Sequence, residues 1–282
     1  MLSNYLSFIR FTHSVFALPF ALTGALLAAR HYPVSWRQVA WIVVAMVAAR
    51  SAAMGFNRLV DAAYDARNPR TAMREIPRGV ISRPAAMLFV AVSAAIFVGA
   101  ASQLGWICLV LSPVALAIVF WYSLAKRFTA YTQAFLGLAM AVAPVRGWLA
   151  AGGPILAPEP WLLGLAIGLW VGGFDVLYAC QDVEFDRAAG LKSIPTKFGI
   201  AGALAISRTM HVATIVVMAW LGLVAGLGPV YQGGVALVAV LLAYEQSLVS
   251  VGDLSQVKKA FDLNGYVGMI YLATTAVAVW WR

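Results

Sequence analysis

Charge is scarce in this 282-residue chain: Asp, Glu, Lys and Arg together make up 11% of it, while apolar residues reach 62%. A soluble domain carries about a quarter charged residues, and this chain lacks the polar surface to cover such a core in water. Cysteine and histidine are equally sparse, at two and three residues. Cys108 and Cys180 lie in unrelated apolar segments, and His13, His31 and His211 are scattered. That spacing excludes a disulfide framework and a Cys/His metal cluster. The chain also lacks a stripe of basic residues interleaved with aromatics, so its net charge of +9 gives no reason to invoke a nucleic-acid partner. No segment points to a protein partner.

What is present in quantity is long apolar runs. Segments of spanning length recur at 14–30, 38–56, 85–103, 105–123, 132–151, 160–181, 209–227, 230–248 and 264–281. The expectation is therefore an all-α polytopic membrane protein with about nine transmembrane helices and the lipid bilayer as its solvent. Gly152-Gly153-Pro154 and Gly226-Leu227-Gly228-Pro229 mark turns between spans. The first run is read as an uncleaved span, because eight more follow it and the first basic residue is Arg10.

With nine spans, 15 of the 20 basic residues fall on the side shared by the N-terminus and the loops after the even-numbered spans. The positive-inside rule then places the N-terminus in the cytoplasm and Arg282 outside, in the inner (cytoplasmic) membrane of a cell. The acidic residues follow the same bias, with only Glu159 of eleven clearly on the outer side. Loops that merely set topology have no use for carboxylates among their cations.

Those carboxylates are patterned. Asn57, Asp61 and Asp65 stand at i, i+4 and i+8, drifting about 40° per step on an α-helix, so they form one stripe. Asp175, Tyr178, Asp182 and Asp186 form a second stripe within roughly 80° on a straight helix. A single stripe is equally well a solvated helix end. Two approaching the same face, one of them with Asp175 inside an apolar segment where charge is costly, argue for a site. Hard oxygen donors without His or Cys indicate Mg²⁺ bridged to substrate phosphates. Lys126, Arg127, Arg74 and Lys192 follow these segments on the same face, where a departing diphosphate needs positive charge, although each also serves topology. A short internal echo pairs Asp61 and Asp65 with Asp182 and Asp186, as between two related halves.

In these motifs the chain resembles the UbiA superfamily of intramembrane prenyltransferases, over nearly its whole length. The first motif is Asn57-Arg58-Leu59-Val60-Asp61-Ala62-Ala63-Tyr64-Asp65, with Arg58 where the family commonly has an acidic residue, so Arg58 is left out of the metal set. The second runs from Asp175 to Asp186, and Tyr122-Ser123-Leu124-Ala125-Lys126-Arg127 is also similar to the family's. Asn68-Pro69-Arg70-Thr71 and the stretch Tyr178 to Arg187 resemble the bacterial quinone-pathway branch, the 4-hydroxybenzoate polyprenyltransferase-like proteins, some acting on 1,4-dihydroxy-6-naphthoate.

The resemblance implies one domain over residues 1–282, helices around a central cavity, and Mg²⁺-dependent transfer from a polyprenyl diphosphate to a small aromatic acceptor. It implies Asn57, Asp61, Asp65, Asp182 and Asp186 as metal ligands, with Arg74, Lys126, Arg127 and Lys192 on the diphosphate. Asp175 and Tyr178 would stabilise an allylic carbocation. Haem, chlorophyllide or lipid glycerol are alternative acceptors. A secondary transporter is the rival from another class, but it predicts charges near the bilayer midplane.

Arg50, about two turns deeper than Asn57, would either pair with the acceptor's carboxylate or with a motif aspartate. Tyr244, Glu245 and Asn264 are further candidates for the cavity wall, and Glu184 is off the stripe and expected to be solvated. Arg146 stands where the resemblance leads one to expect a small residue, and the sequence offers no account of it.

Overall fold

The computed structural model describes residues 7, 8 and 11–281, and the secondary structure there is helical. Arg10 and Arg282, both used in the orientation argument, lie outside these residues. The helices are α1 (Phe11–Ala28), α2 (Trp36–Asp65), α3 (Arg83–Gln103), α4 (Trp106–Val110), α5 (Ser112–Ala125), α6 (Thr132–Ala150), α7 (Pro158–Ala179), α8 (Val183–Ala188), α9 (Ile194–Val224), α10 (Gly228–Ser247) and α11 (Val257–Trp280). Each of the nine expected apolar segments falls on one of them or on the α4–α5 pair. Seven are long and apolar enough to cross a membrane, α4–α5 counting as one; α1 supplies a shorter apolar stretch, Leu18–Ala28.

Local chemistry sets the helix starts. Ser35 accepts from the Gln38 amide while the Gln38 side chain returns to Ser35, a capping box that opens α2, and Ser193 with Thr196 does the same for α9. Pro84 and Pro195 sit in first turns, where the missing N–H costs nothing. Gly226, at φ 59°, takes the left-handed turn after α9 that a side chain would resist.

Without a hydrophobic drive between helices in lipid, association depends on close packing of small residues. Gly24 lies so near the Pro144 carbonyl, and Gly147 so near that of Ala21, that a Cβ at either would collide with backbone, which locks α1 onto α6. Gly137 meets Gly168 in the same way between α6 and α7. The interior is apolar, built around Phe20, Leu163, Ile167, Trp170, Met218 and Leu221. Outward positions such as Leu88, Leu165, Val212 and Val216 are exposed and apolar, as a lipid-facing surface requires.

Trp36, Trp106, Trp161 and Trp280 are exposed at the ends of α2, α4, α7 and α11 that lie away from the aspartate motifs. Rings at that level form the aromatic belt of a membrane interface.

Candidate functional site

The long α2 carries Asn57, Asp61 and Asp65 on its last three turns, as the i, i+4, i+8 spacing requires. The second stripe is not on a straight helix. After Ala179 the chain tightens into a 3₁₀ turn, Cys180–Asp182, before α8 begins. The tighter winding turns Asp182 and Asp186 relative to Asp175, yet Asp175, Tyr178, Asp182 and Asp186 all still face the same cavity.

That cavity has a volume of about 300 Å³ and opens among the ends of α2, α5, α6 and α7 and the following loops. Its wall contains Asn57, Asp61, Asp65, Asp175, Asp182 and Asp186, together with Arg50, Arg74, Lys126 and Lys192. Arg127 stands behind this wall. Nearly all the site residues expected from the sequence are therefore brought to one place. Tyr244, Glu245 and Asn264 are not: Tyr244 is exposed, while Glu245 and Asn264 are wholly buried away from the cavity. There the Asn264 amide donates to Glu245 Oε1 at 3.1 Å and accepts from Trp170 Nε1 at 2.6 Å, a polar tie between α10, α11 and α7. Glu184 is exposed, as expected.

Carboxylates and cations alternate around the wall. Asp61 accepts from Lys126 Nζ at 2.5 Å and from Arg127 Nη2 at 3.0 Å, and the Asn57 amide reaches it at 3.5 Å. Arg127 also donates to the Val60 and Ser123 carbonyls at 2.8 and 3.0 Å, which fixes the α5 end against α2. Arg74 Nη1 contacts both oxygens of Asp65, at 2.7 and 2.8 Å. Lys192 lines the cavity, but its amine donates to the Phe128 carbonyl at 3.3 Å instead of to a carboxylate.

Two residues of the Asn68-Pro69-Arg70-Thr71 stretch, which the sequence marked only by its family resemblance, were given no role in the site. Arg70 grips Asp182 through Nε at 2.9 Å and through Nη2, and its Nη1 donates to the Tyr178 hydroxyl at 3.0 Å. Asn68 reaches Asp182 at 3.4 Å. Burial works against the Arg70 charge, but Asp182 and Tyr178 outweigh it and hold its pKa above the ordinary guanidinium value. The sequence marked this stretch only as part of the family resemblance, because the partner of Arg70 lies 112 residues away.

One wall is aromatic. Tyr178 packs on Phe261 with ring centroids 4.7 Å apart, and Phe261 on Phe174 at 5.5 Å. The Tyr64 ring faces Arg67, Arg127 and Lys126 at 5.3 to 5.8 Å. Leu136, Met140, Tyr122 and Arg50 also line a second, apolar cavity that leads deeper between α2, α5 and α6.

Among the described residues, no three acidic, His or Cys side chains gather closely enough to enclose a metal ion by themselves. Basic side chains interleave the aspartates. The oxygen donors suit a hard cation that completes its shell with phosphate and water, as Mg²⁺ does.

The UbiA prenyltransferase family matches residues 17–273. The chain is 32% identical over 260 residues to the 4-hydroxybenzoate octaprenyltransferase of Vibrio cholerae, covering 92% of this chain and 90% of that one. It is 31% identical over 250 residues to the enzyme of the same name from Salmonella paratyphi C, covering 85% and 83%. Its fold superposes on the apo structure of a UbiA homolog from Aeropyrum pernix with a TM-score of 0.88 at 36% identity, over 94% of this chain and 98% of that one. A UbiA homolog from Archaeoglobus fulgidus bound to GPP and Mg²⁺ shares the fold at a TM-score of 0.71 and 18% identity, over 98% and 99%. The aspartate-lined cavity thus sits in a helical membrane protein that belongs to the UbiA prenyltransferase family and is a transferase.

Proposed function

We propose that this chain transfers a polyprenyl group from a polyprenyl diphosphate to a hydroxy-aromatic carboxylic acid, 4-hydroxybenzoate or 1,4-dihydroxy-6-naphthoate, in quinone biosynthesis. The single observation that carries this reading is the convergence of two aspartate-bearing helix ends and their basic partners on one cavity that continues into an apolar one. The relatives named 4-hydroxybenzoate octaprenyltransferase favour the benzoate.

Six basic side chains and five carboxylates line the cavity, so it is close to neutral. A diphosphate would not be held there without added positive charge. Asn57, Asp61, Asp65, Asp182 and Asp186 would hold Mg²⁺, which when bound supplies charge that draws electrons toward the diphosphate. Arg74, Lys126 and Arg127, which pair with Asp65 and Asp61, would bind the phosphate oxygens, and Lys192 on the cavity wall would add a further charge. The allylic C–O bond breaks with its electron pair leaving on the diphosphate. Asp175 and the Tyr178 ring face the resulting allylic cation, which they stabilise by charge and by π contact in a water-poor space. The ring carbon beside the acceptor's hydroxyl then bonds to the allylic carbon and gives its proton to the departed diphosphate.

The orientation belongs to the same proposal. α1 and α10 complete nine spans with the seven helices that are long and apolar enough to cross a membrane, in the inner membrane with the cavity facing the cytoplasm. The Trp belt at the far helix ends and the basic residues around the cavity support it. A reporter that fluoresces only in the cytoplasm is expected to stay dark when fused after Arg282; a bright fusion overturns the span count.

The decisive experiment incubates membranes bearing the protein with farnesyl or octaprenyl diphosphate and each acid, with and without EDTA, and reads the products by mass spectrometry. Prenylated 4-hydroxybenzoate, lost with EDTA and restored by Mg²⁺, is expected. No product on either acid, or product only on haem, chlorophyllide or a glycerol lipid, overturns the acceptor assignment. Liposome uptake without diphosphate release would indicate transport.

A further inference from the structure

Arg146 is a guanidinium in apolar surroundings, one turn from the end of α6 that lies away from the aspartate cavity. Its group lies 4.3 Å from the Phe97 ring centroid, and Nη2 donates to the Cys108 carbonyl at 3.2 Å. These contacts tie α6 to α3 and to the short α4. The side chain stands at a boundary. Along α6 the apolar cavity that begins at Leu136 and Met140 passes Arg146 and reaches Gly147 and Ala150, and Arg146, Ala115 and Val142 form part of its side wall near that far end. The same three residues line an outer pocket of about 530 Å³ between α5, α6 and α7. Val114, Leu138, Trp161 and Leu165 on its wall are exposed, so that pocket opens sideways toward lipid.

We infer that Arg146 is the partition that sets which prenyl chain lengths this enzyme accepts, an inference that rests on the prenyl-transfer reading above. From Leu136 to Arg146 is ten helical residues, about 15 Å of rise. An extended chain advances about 1.2 Å per bond, so an isoprene unit with four chain bonds covers about 5 Å. The inner cavity therefore accommodates roughly three units before the tail meets the guanidinium. A longer tail reaches the outer pocket only by displacing Arg146 from Cys108 and Phe97, which breaks a hydrogen bond and a cation–π contact away from water. Chains of two or three units end before this obstacle. Ala115 and Val142 are too small to fill the gap that a truncated Arg146 would leave, so the two cavities would join.

The test measures kcat/KM for geranyl, farnesyl, geranylgeranyl and octaprenyl diphosphates with one aromatic acid, in the wild type, Arg146→Ala and Arg146→Met. Arg146→Ala is expected to raise the octaprenyl-to-farnesyl ratio about tenfold, the factor that loss of such contacts produces. Farnesyl turnover and the acceptor KM stay as in the wild type. Arg146→Met, which keeps a long side chain without the hydrogen bond or charge, is expected to fall between and guards against misfolding of the alanine variant. A ratio that stays within about twofold in both variants overturns the partition while leaving prenyl transfer intact. A wild type that uses no prenyl diphosphate of any length fails the underlying reading, and the partition with it.

Discussion

Asp61→Ala and Asp182→Ala are each expected to lower turnover by at least about a hundredfold while the protein still folds in detergent, the scale on which loss of a charge-stabilising group is felt. Both carboxylates hold cations across the cavity. Asp61 is buried at the junction of α2 and α5 and holds both Lys126 and Arg127, so its loss would remove the proposed metal donor and free two cations at once. Asp182 does the same on the opposite wall with Arg70. Raising Mg²⁺ should recover part of the activity in Asp61→Asn, which keeps an oxygen donor, and none in Asp61→Ala. Titrating Mg²⁺ against initial rate checks this. Near-normal turnover in either alanine variant removes that residue from the metal site.

Arg50→Leu is expected to raise the acceptor KM far more than the prenyl diphosphate KM. Removing one partner of a desolvated charge pair costs about 2 to 5 kcal/mol, some thirtyfold or more in affinity. Arg50 lies seven residues before Asn57 on α2, about 10 Å deeper, and lines both the polar cavity and its apolar continuation beside Tyr122. An acceptor placed there would present its ring toward Tyr178 and Asp175 and its carboxylate to the guanidinium. The motif aspartates meanwhile have other partners in Lys126, Arg127, Arg74 and Arg70. If Arg50 instead serves those aspartates, its removal should weaken Mg²⁺ and diphosphate use and leave acceptor affinity unchanged. Both Michaelis constants measured in one variant decide between these outcomes, and an unchanged acceptor KM sinks the carboxylate-reading role.

The helices and the gathering of the aspartates were legible in the sequence because two constraints write themselves into residue order. A bilayer forces long apolar helices, and side chains that share one face of a helix recur at helical spacing. Hence the segment around Val39 to Ala49 reads as a helix without any knowledge of its neighbours, and Asn57, Asp61 and Asp65 read as one stripe. The same logic misplaced Glu245 and Asn264. Polar residues in apolar helices have two uses, lining a cavity or satisfying one another, and their periodicity is the same in both cases. Only the packing of α10 and α11 against Trp170 shows that they serve the second.

The tertiary structure decided what depends on residues far apart in the chain. Arg70 and Asp182 meet across 112 positions, and Lys126 and Asp61 across 65, so no local pattern could have assigned either pair. The 3₁₀ turn at Cys180–Asp182 is not written in those three residues, none of which forbids an ordinary helix, and Asp182 at its end meets Arg70. Arg146 follows the same division. The sequence marked it only as a departure from the small residue that the resemblance leads one to expect, and its place between two cavities exists only once α3, α5, α6 and α7 enclose them.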